Sequence, residues 1–402
     1  MNPRVIRVGR PIANEGDGVT VSTPAAFPVS GYPDTLEFHV RNVPAEHVRL
    51  DRTDWLIMGL LMPAMLHGLD IDLQTPISSG LAFALGDLQS ILMVQHPRLQ
   101  RIRIRAPEIE DKAPRGSAVA TGFSAGVDSF STIMEFTGCD RSGDAITHLT
   151  TFNVGAMENR ASTAELFQTY CRRTEIYAER KGLACLFVDT NLADFYAHAF
   201  TFQQTHTLRN AAAAALLAGF IRRYYYSSAV AFGEVRVSET YDIADADPLI
   251  LALISTPALH FVSAGSTYSR LERVKRVAEF EDSFDMLDVC VDSPDRRIKR
   301  DKPNCSVCWK CGRQLFSLEL IGRLERYAAV FDLDRYRQYR TFIIGQVYAA
   351  RHSVNERDII ALAKTSGIRI PISSRIMSWA INRKNSRLLR RLKQPIKMLM
   401  RA

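Results

Sequence analysis

Two hydrophobic rhythms run along this chain, and the rhythm changes near residue 116. Before that point, Leu36-Glu37-Phe38-His39-Val40 alternates apolar and polar positions as a half-buried strand does. Arg101-Ile102-Arg103-Ile104-Arg105 alternates just as strictly and predicts another strand. Between them, Asp51 or Thr53 can cap a buried helix through Trp55–Leu66, and a second helix is predicted over Ser79–Met93. The Pro- and charge-containing stretch from Ala106 to Gly116 reads as a linker. Residues 1–115 are thus expected to form an α+β accessory domain, a lid, docking surface or dimerisation unit of a homodimer.

From residue 117 strands and helices alternate. Strand 118–123 leads to a helix over Asp128–Phe136, and strand Ile146–Asn153 leads to a helix over Ala161–Lys181. Strand Ala184–Asp189 is followed by an Ala-rich helix near Leu208–Tyr225 and then strand Ser228–Gly233. This βα repeat predicts an α/β fold with an open parallel sheet, in which ligands bind at the carboxyl ends of strands. Residues 326–402 read as a basic helical C-terminal region.

Candidate chemistry concentrates in two places. Phe123-Ser124-Ala125-Gly126-Val127-Asp128-Ser129 carries the chain from a strand into a helix through a Ser/Gly turn. Such a turn aims backbone N–H groups and the positive end of a helix dipole at one spot, which suits a phosphate. It lacks the Gly-Lys-Ser/Thr of a Walker loop. The second place is Cys305-x2-Cys308-x2-Cys311 with Cys290 upstream, four thiols suited to enclosing one Zn²⁺ tetrahedrally. Cys139, Cys171 and Cys185 are scattered and read as core thiols.

Together these two features resemble the PP-loop ATP pyrophosphatases (the adenine nucleotide alpha-hydrolase-like fold), and within them the 7-cyano-7-deazaguanine synthase family. The resemblance spans about Val119 to Arg323, with Ala125 where that family's loop has a Gly. Phe152-Asn153-Val154-Gly155 stands in the place of the family's Phe-Asp-Tyr-Gly. Leu208-Arg209-Asn210 looks like its Gly-Arg-Asn, and Cys311-Gly312-Arg313 like the end of its zinc segment near 290–311. The substrate segment departs: Glu239–Pro248 does not match the family's Ser-Gly-Tyr-Pro-Asp-Cys. The resemblance therefore implies a PP-loop ATP-binding domain over 116–325, in a divergent relative whose substrate differs and which serves a specialised pathway or a defence system.

It also implies a ligase-like reaction. A substrate carboxylate attacks the α-phosphate of ATP, pyrophosphate leaves, and an amine displaces AMP to form an amide or nitrile. Ser124, Ala125, Gly126, Val127, Asp128 and Ser129 are the phosphate-loop candidates, with Asp128 as a helix cap or a Mg²⁺ neighbour. Asn153 and Gly155 are candidates for adenine or ribose, Arg209 for a phosphate and Arg270 for pyrophosphate, with an exposed pair to Glu272 or Glu279 as the plainer role of Arg270. Asp242, Asp245 and Asp247 could take Mg²⁺ or a polar substrate, or form a solvated acidic loop. His206 reads as structural or solvated. A tRNA-thiolating enzyme and a nucleotide-binding scaffold without turnover are the alternatives.

Composition adjusts this picture at the edges. The 402 residues are 47% hydrophobic and 23% charged, as in soluble globular proteins. The first residues show no basic-then-apolar signal pattern, and the longest apolar run, Trp55–Leu69, contains His67 and is short for a membrane span. Clustered cysteines without that pattern lead to the expectation of a cytoplasmic protein. The net charge of +8 is uneven: Arg335–Ala402 holds 16 Lys/Arg against only Glu356 and Asp358. Its end alternates apolar and basic residues from Ile376 to Arg401, which suits an anionic membrane surface, RNA or an acidic protein partner.

Overall fold

The computed structural model describes residues 4–110, 116–138, 143–157, 162–197 and 199–382. The chain divides into two compact units. The first comprises residues up to Ser124 together with Thr132–Thr267, and the second comprises Ala125–Ser131 together with the chain from Tyr268 onward.

The described residues of the first unit form thirteen short strands, eleven of them in one mixed sheet. In chain order the strands are β1 (Val5–Val8), β2 (Ile12–Gly16), β3 (Gly18–Ala26), β4 (Thr35–Arg41), β5 (Asp70–Leu73), β6 (Ile77–Ser78), β7 (Ile104–Arg105), β8 (Glu108–Ile109), β9 (Ala118–Gly122), β10 (His148–Asn153), β11 (Ala184–Thr190), β12 (Ile221–Ser227) and β13 (His260–Ala264). The large sheet runs β13-β12-β9-β10-β11-β4-β3-β1-β5-β7, with β2 paired to β3, while β6 and β8 pair separately. The five strands from β13 to β11 are mutually parallel. Numbered from β9, their order is 3-2-1-4-5, so the chain reverses its winding direction between β9 and β12. That crevice is where doubly wound sheets hold ligands.

Strands β1 to β5 and β7 belong to this same sheet. β4 runs antiparallel to β11, pairing Val188 with Val40 and Asp189 with His39. Helix α1 (Asp54–His67) is buried on all sides from Asp54 to Met65, because its apolar residues continue round the helix instead of forming one stripe. Each fully buried Leu, Ile or Met there contributes roughly 1.5–3 kcal/mol relative to exposure. Gly59 permits close approach: a Cβ would lie 3.3 Å from Leu192 and 3.7 Å from Ala212. Tyr196 Oη donates to the Gly59 carbonyl at 2.7 Å. Helix α2 (Ser79–Gln95) starts where the Ser78 hydroxyl accepts from Leu81 N at 3.3 Å.

Helices α3 (Val127–Phe136), α4 (Thr163–Lys181), α5 (His206–Leu216) and α6 (Asp247–Leu253) alternate with the parallel strands. Two sequence expectations change here. The Ala-rich helix ends at Leu216, and Ile221–Ser227 forms β12, in place of a helix to Tyr225 and a strand at Ser228–Gly233. Ile221-Arg-Arg-Tyr-Tyr-Tyr favours a strand, and Gly219 sits where a Cβ would lie 2.6 Å from the His47 carbonyl, which stops the helix. Of the alternating Arg101–Arg105 run only Ile104–Arg105 is strand. Gln89 Oε1 accepts from Ile102 N and Asp70 Oδ1 from Arg103 N, each at 2.9 Å, so side chains take the bonds a ladder would make.

The second unit is helical: α7 (Arg270–Val277), α8 (Pro294–Arg297), α9 (Trp309–Leu320), α10 (Leu333–Ala349), α11 (Val354–Thr365) and α12 (Ile372–Asn382). Leu271, Phe316, Leu320, Ile344, Val347 and Ile359 belong to its core. Gly312 lets α9 cross α10, since a Cβ would meet Ile343 at 2.8 Å. On α12, Ile372, Ile376 and Trp379 are exposed at one-turn spacing. The basic run from Arg383 to Arg401, and Cys139, lie outside the described residues. No described helix is long and apolar enough to cross a membrane.

Candidate functional site

The residues singled out by the sequence fall into two groups, one in each unit. In the second unit, Cys290, Cys305, Cys308 and Cys311 bring their sulfurs within 4.8 Å of one another. A tetrahedron with Zn–S bonds of about 2.3 Å has edges of about 3.8 Å. The Cys305 and Cys311 sulfurs stand 3.8 Å apart. Backbone N–H groups already point at sulfur: Cys308 N donates to Cys305 Sγ at 3.2 Å and Cys311 N to Cys308 Sγ at 3.5 Å. Cys308 is thereby the N-cap of α9. Hydrogen bonding from the Cys305, Cys308 and Cys311 thiols holds Cys290 far below the usual thiol range.

The surroundings fix these ligands. Asn304 Oδ1 accepts from Val289 N at 2.9 Å, and its amide nitrogen donates to the Leu287 and Val330 carbonyls at 2.7 and 3.1 Å. Arg300 Nη1 lies 3.6 Å from Cys290 Sγ, and Arg297 pairs with Asp288 at 2.5 Å. Four converging thiols with a supported outer layer could hold a soft divalent ion such as zinc in a closed, structural site.

The Ser/Gly turn follows β9 directly. Ala125 has φ +56, in the left-handed region where the resembling family places Gly. Its carbonyl accepts from Asp288 N at 2.8 Å. Ser124 is exposed, while Ser129 is buried and its hydroxyl donates to the Gly126 carbonyl at 3.0 Å. Asp128 lies one residue inside α3, so it does not act as the N-cap the sequence suggested. Its two oxygens accept from Arg270 Nη1 and Arg273 Nη1, each at 2.6 Å. Despite burial, Arg270 and Arg273 keep its carboxyl below the ordinary range. Arg270 is therefore not paired with Glu272 or Glu279. Glu272 closes a capping box with Ser269, and Glu279 pairs with Arg323 and Arg326.

In the first unit, Asn153, Gly155 and Arg209 come together. Asn153 Nδ2 donates to Asp189 Oδ1 at 2.7 Å. Gly155 has φ +104, and a Cβ there would lie 2.5 Å from Arg209 Nη1. Arg209 is 3% exposed, donates to the Val154 carbonyl at 3.2 Å and stacks 4.1 Å from the Tyr196 ring centre. Its Nε has no hydrogen-bond partner among the described residues, and burial pushes its pKa down to about 10. Asn153 and Gly155 line a cavity of about 340 Å³ with Glu37, His39, Asp189 and Asp194. Among the described residues no Lys or Arg lines it.

Spacing concealed one arrangement. His206 Nε2 lies 3.0 Å from Asp242 Oδ1 and its Nδ1 lies 2.6 Å from Tyr226 Oη. With Asp242 accepting from Nε2, Nδ1 accepts from the tyrosine. Nearby Asp247 is fully buried, accepting from Thr207 at 2.6 Å and from Ser228 at 3.4 Å. Burial raises its carboxyl to about 6. Asp245 is held by Arg236 and Thr240. Thus Asp242, Asp245 and Asp247 each have a separate partner instead of converging on one point. Cys171 is a core thiol that burial pushes up to about 12.

Comparison of the chain with protein-family models, with curated proteins and with solved structures finds no match.

Proposed function

We propose that this protein is an ATP-dependent enzyme of the PP-loop kind, a divergent relative of 7-cyano-7-deazaguanine synthase. In this reading it activates a substrate carboxylate as an acyl-adenylate with release of pyrophosphate. One observation carries the reading: the Ser124–Ser129 turn leaves the first strand of a 3-2-1-4-5 parallel run and opens α3 at the winding reversal. A Ser/Gly turn that opens a helix in this way suits phosphate oxygens. The cavity beside Asn153 and Gly155 has acceptors and, among the described residues, no Lys or Arg, which favours a nucleoside with hydroxyl groups to donate. Zinc in the four-Cys site is structural, and Mg²⁺ accompanies ATP. The protein's part in the chemistry is positioning and charge neutralisation.

The sulfur geometry favours a metal over a sulfur relay, which sets RNA thiolation behind ligation. The test is calorimetric titration of zinc-replete protein with ATP and Mg²⁺, followed by assays for AMP and pyrophosphate over a panel of carboxylates with ammonia. Micromolar binding and carboxylate-dependent pyrophosphate release are expected. Gly155→Ala should abolish binding because the methyl collides with Arg209. Absence of ATP binding to the intact protein would overturn the reading.

A further inference from the structure

The first unit carries a second cavity, at the amino ends of its parallel strands, whereas doubly wound sheets hold their ligands at the carboxyl ends. It has a volume of about 320 Å³ beside the starts of β12 and β13, and Arg222, Arg223, Thr256 and His260 line it. A fault in the ladder brings both arginines there. Consecutive residues of a regular strand point to opposite faces. Here Ile221 pairs with Ala118 and Arg223 with Val119, so Arg222 is an extra residue between two consecutive partners on β9. Such a bulge re-aims the side chains it carries. Both guanidiniums accordingly approach one oxygen, Asp144 Oδ1, Arg223 in a close ion pair and Arg222 at 3.6 Å. At that distance Arg222 makes no hydrogen bond to the carboxylate. Arg223 Nε is buried with no hydrogen-bond partner among the described residues. Two cations therefore meet a single carboxylate oxygen and keep donors in reserve.

The walls are held in place. Tyr225 Oη donates to the Asp144 carbonyl at 2.9 Å. Gly143 leaves room for Arg222, since a Cβ there would lie 3.2 Å from Nη2. In the turn before β13, Ser255 Oγ accepts from Phe261 N at 3.0 Å and donates to the Leu251 carbonyl at 2.8 Å. Thr256 Oγ1 accepts from Leu259 N at 3.2 Å. His260 is the register partner of Arg223 on β13 and is exposed, adding ring nitrogens to the rim. We infer that this cavity binds a phosphate group, either inorganic phosphate or the phosphate of a phosphomonoester. Phosphate oxygens accept several guanidinium N–H groups at once, and a dianion neutralises the charge that Asp144 alone does not. None of these residues belongs to the Ser124–Ser129 turn or to the cavity beside Asn153, so the site stands apart from the nucleotide reading.

The test titrates the full chain at low salt with inorganic phosphate and, separately, with ribose 5-phosphate. Arg222→Gln should weaken phosphate binding by about tenfold or more, the scale of one charge-assisted hydrogen bond. Its urea unfolding midpoint should not move, because Arg222 makes no hydrogen bond to Asp144. Arg10→Gln, which removes an exposed charge between β1 and β2, should leave phosphate affinity unchanged. Tighter binding of ribose 5-phosphate than of phosphate would support a phosphomonoester as the occupant, and equal affinities would support the phosphate group alone. The absence of saturable phosphate binding, or wild-type affinity in Arg222→Gln, would overturn the inference. So would an equal loss in Arg10→Gln, which would reduce the effect to net charge. Phosphate binding lost in Arg222→Gln while the wild type fails to bind ATP would overturn the nucleotide reading and support this site.

Discussion

Each unit sets an aspartate near the start of a helix, and the two are treated in opposite ways. Asp128 in the second unit meets two guanidiniums at 2.6 Å, which keep its carboxyl low. Asp247 in the first unit meets only the hydroxyls of Thr207 and Ser228, and burial raises it to about 6. The lesson is that burial disfavours charge by default, and only fixed opposite charges reverse the sign. The second unit thus organises charge around an anionic centre and four thiols. The first unit keeps a carboxyl able to carry a proton near neutrality, held by two hydroxyls.

The sharpest way to break this contrast is to remove the metal ligands. Cys311→Ser, or chelation, should cost several kcal/mol, since closed thiolate sites couple metal affinity to folding. Unfolding followed by tryptophan and by metal release should show the second unit failing first. Both units unfolding as before would argue that the four thiols hold nothing of structural weight.

Asp128→Ala comes next. It removes the carboxylate that Arg273, whose side chain is fully buried, shares with Arg270. The expected loss is about 3 kcal/mol in urea unfolding, since breaking one side of a buried pair strands the other. Asp128→Asn should recover only part of it.

The pH dependence separates the two aspartates. For Asp247 the unfolded carboxyl titrates near 3.8 and the folded one near 6. Between those values the unfolded chain has released a proton that the folded chain retains, so stability falls as pH rises from about 4 to 6, by about 1.4 kcal/mol per unit at most. Asp128 has the opposite sign: its contribution is present above its unfolded value and is lost as pH falls through the depressed folded one. Asp247→Asn should flatten the slope between pH 4 and 6 and leave the acid limb intact. A slope unchanged in that variant would assign the effect to another group.

The sequence revealed what is local. The strand–turn–helix at 118–136, strand β10, helix α4 and strand β11 follow from periodicity and caps, and the Cys spacing places three ligands on one loop and helix turn. What it concealed depends on partners far along the chain. The pairing of β4 with β11 joins residues about 150 apart and draws the N-terminal segment into the main sheet. His206 and Asp242 meet across 36 positions, and Asp128 meets Arg273 across 145. The Ala-rich run carried helix propensity past its real end, and only the close approach at Gly219 shows why it stops.

The smallest expected effect falls on the turn itself. Ala125 is fully buried with φ +56, and only Asn42 and Ser306 share such a conformation among the described non-glycine residues. Ser306 gains something in return, since its hydroxyl accepts from Asp332 N at 2.9 Å. Ala125 has only a methyl to bury. Ala125→Gly relieves left-handed strain of about 1 kcal/mol, but a looser unfolded chain opposes it by about 0.4–1 kcal/mol and the lost methyl by about 0.8 kcal/mol. The net change should stay within about 1 kcal/mol, a Tm shift of no more than about 4 °C. ATP affinity should hold, because the turn keeps the backbone conformation that glycine adopts without strain. A large loss of affinity at unchanged stability would mean that the methyl, not the backbone, shapes the proposed phosphate site.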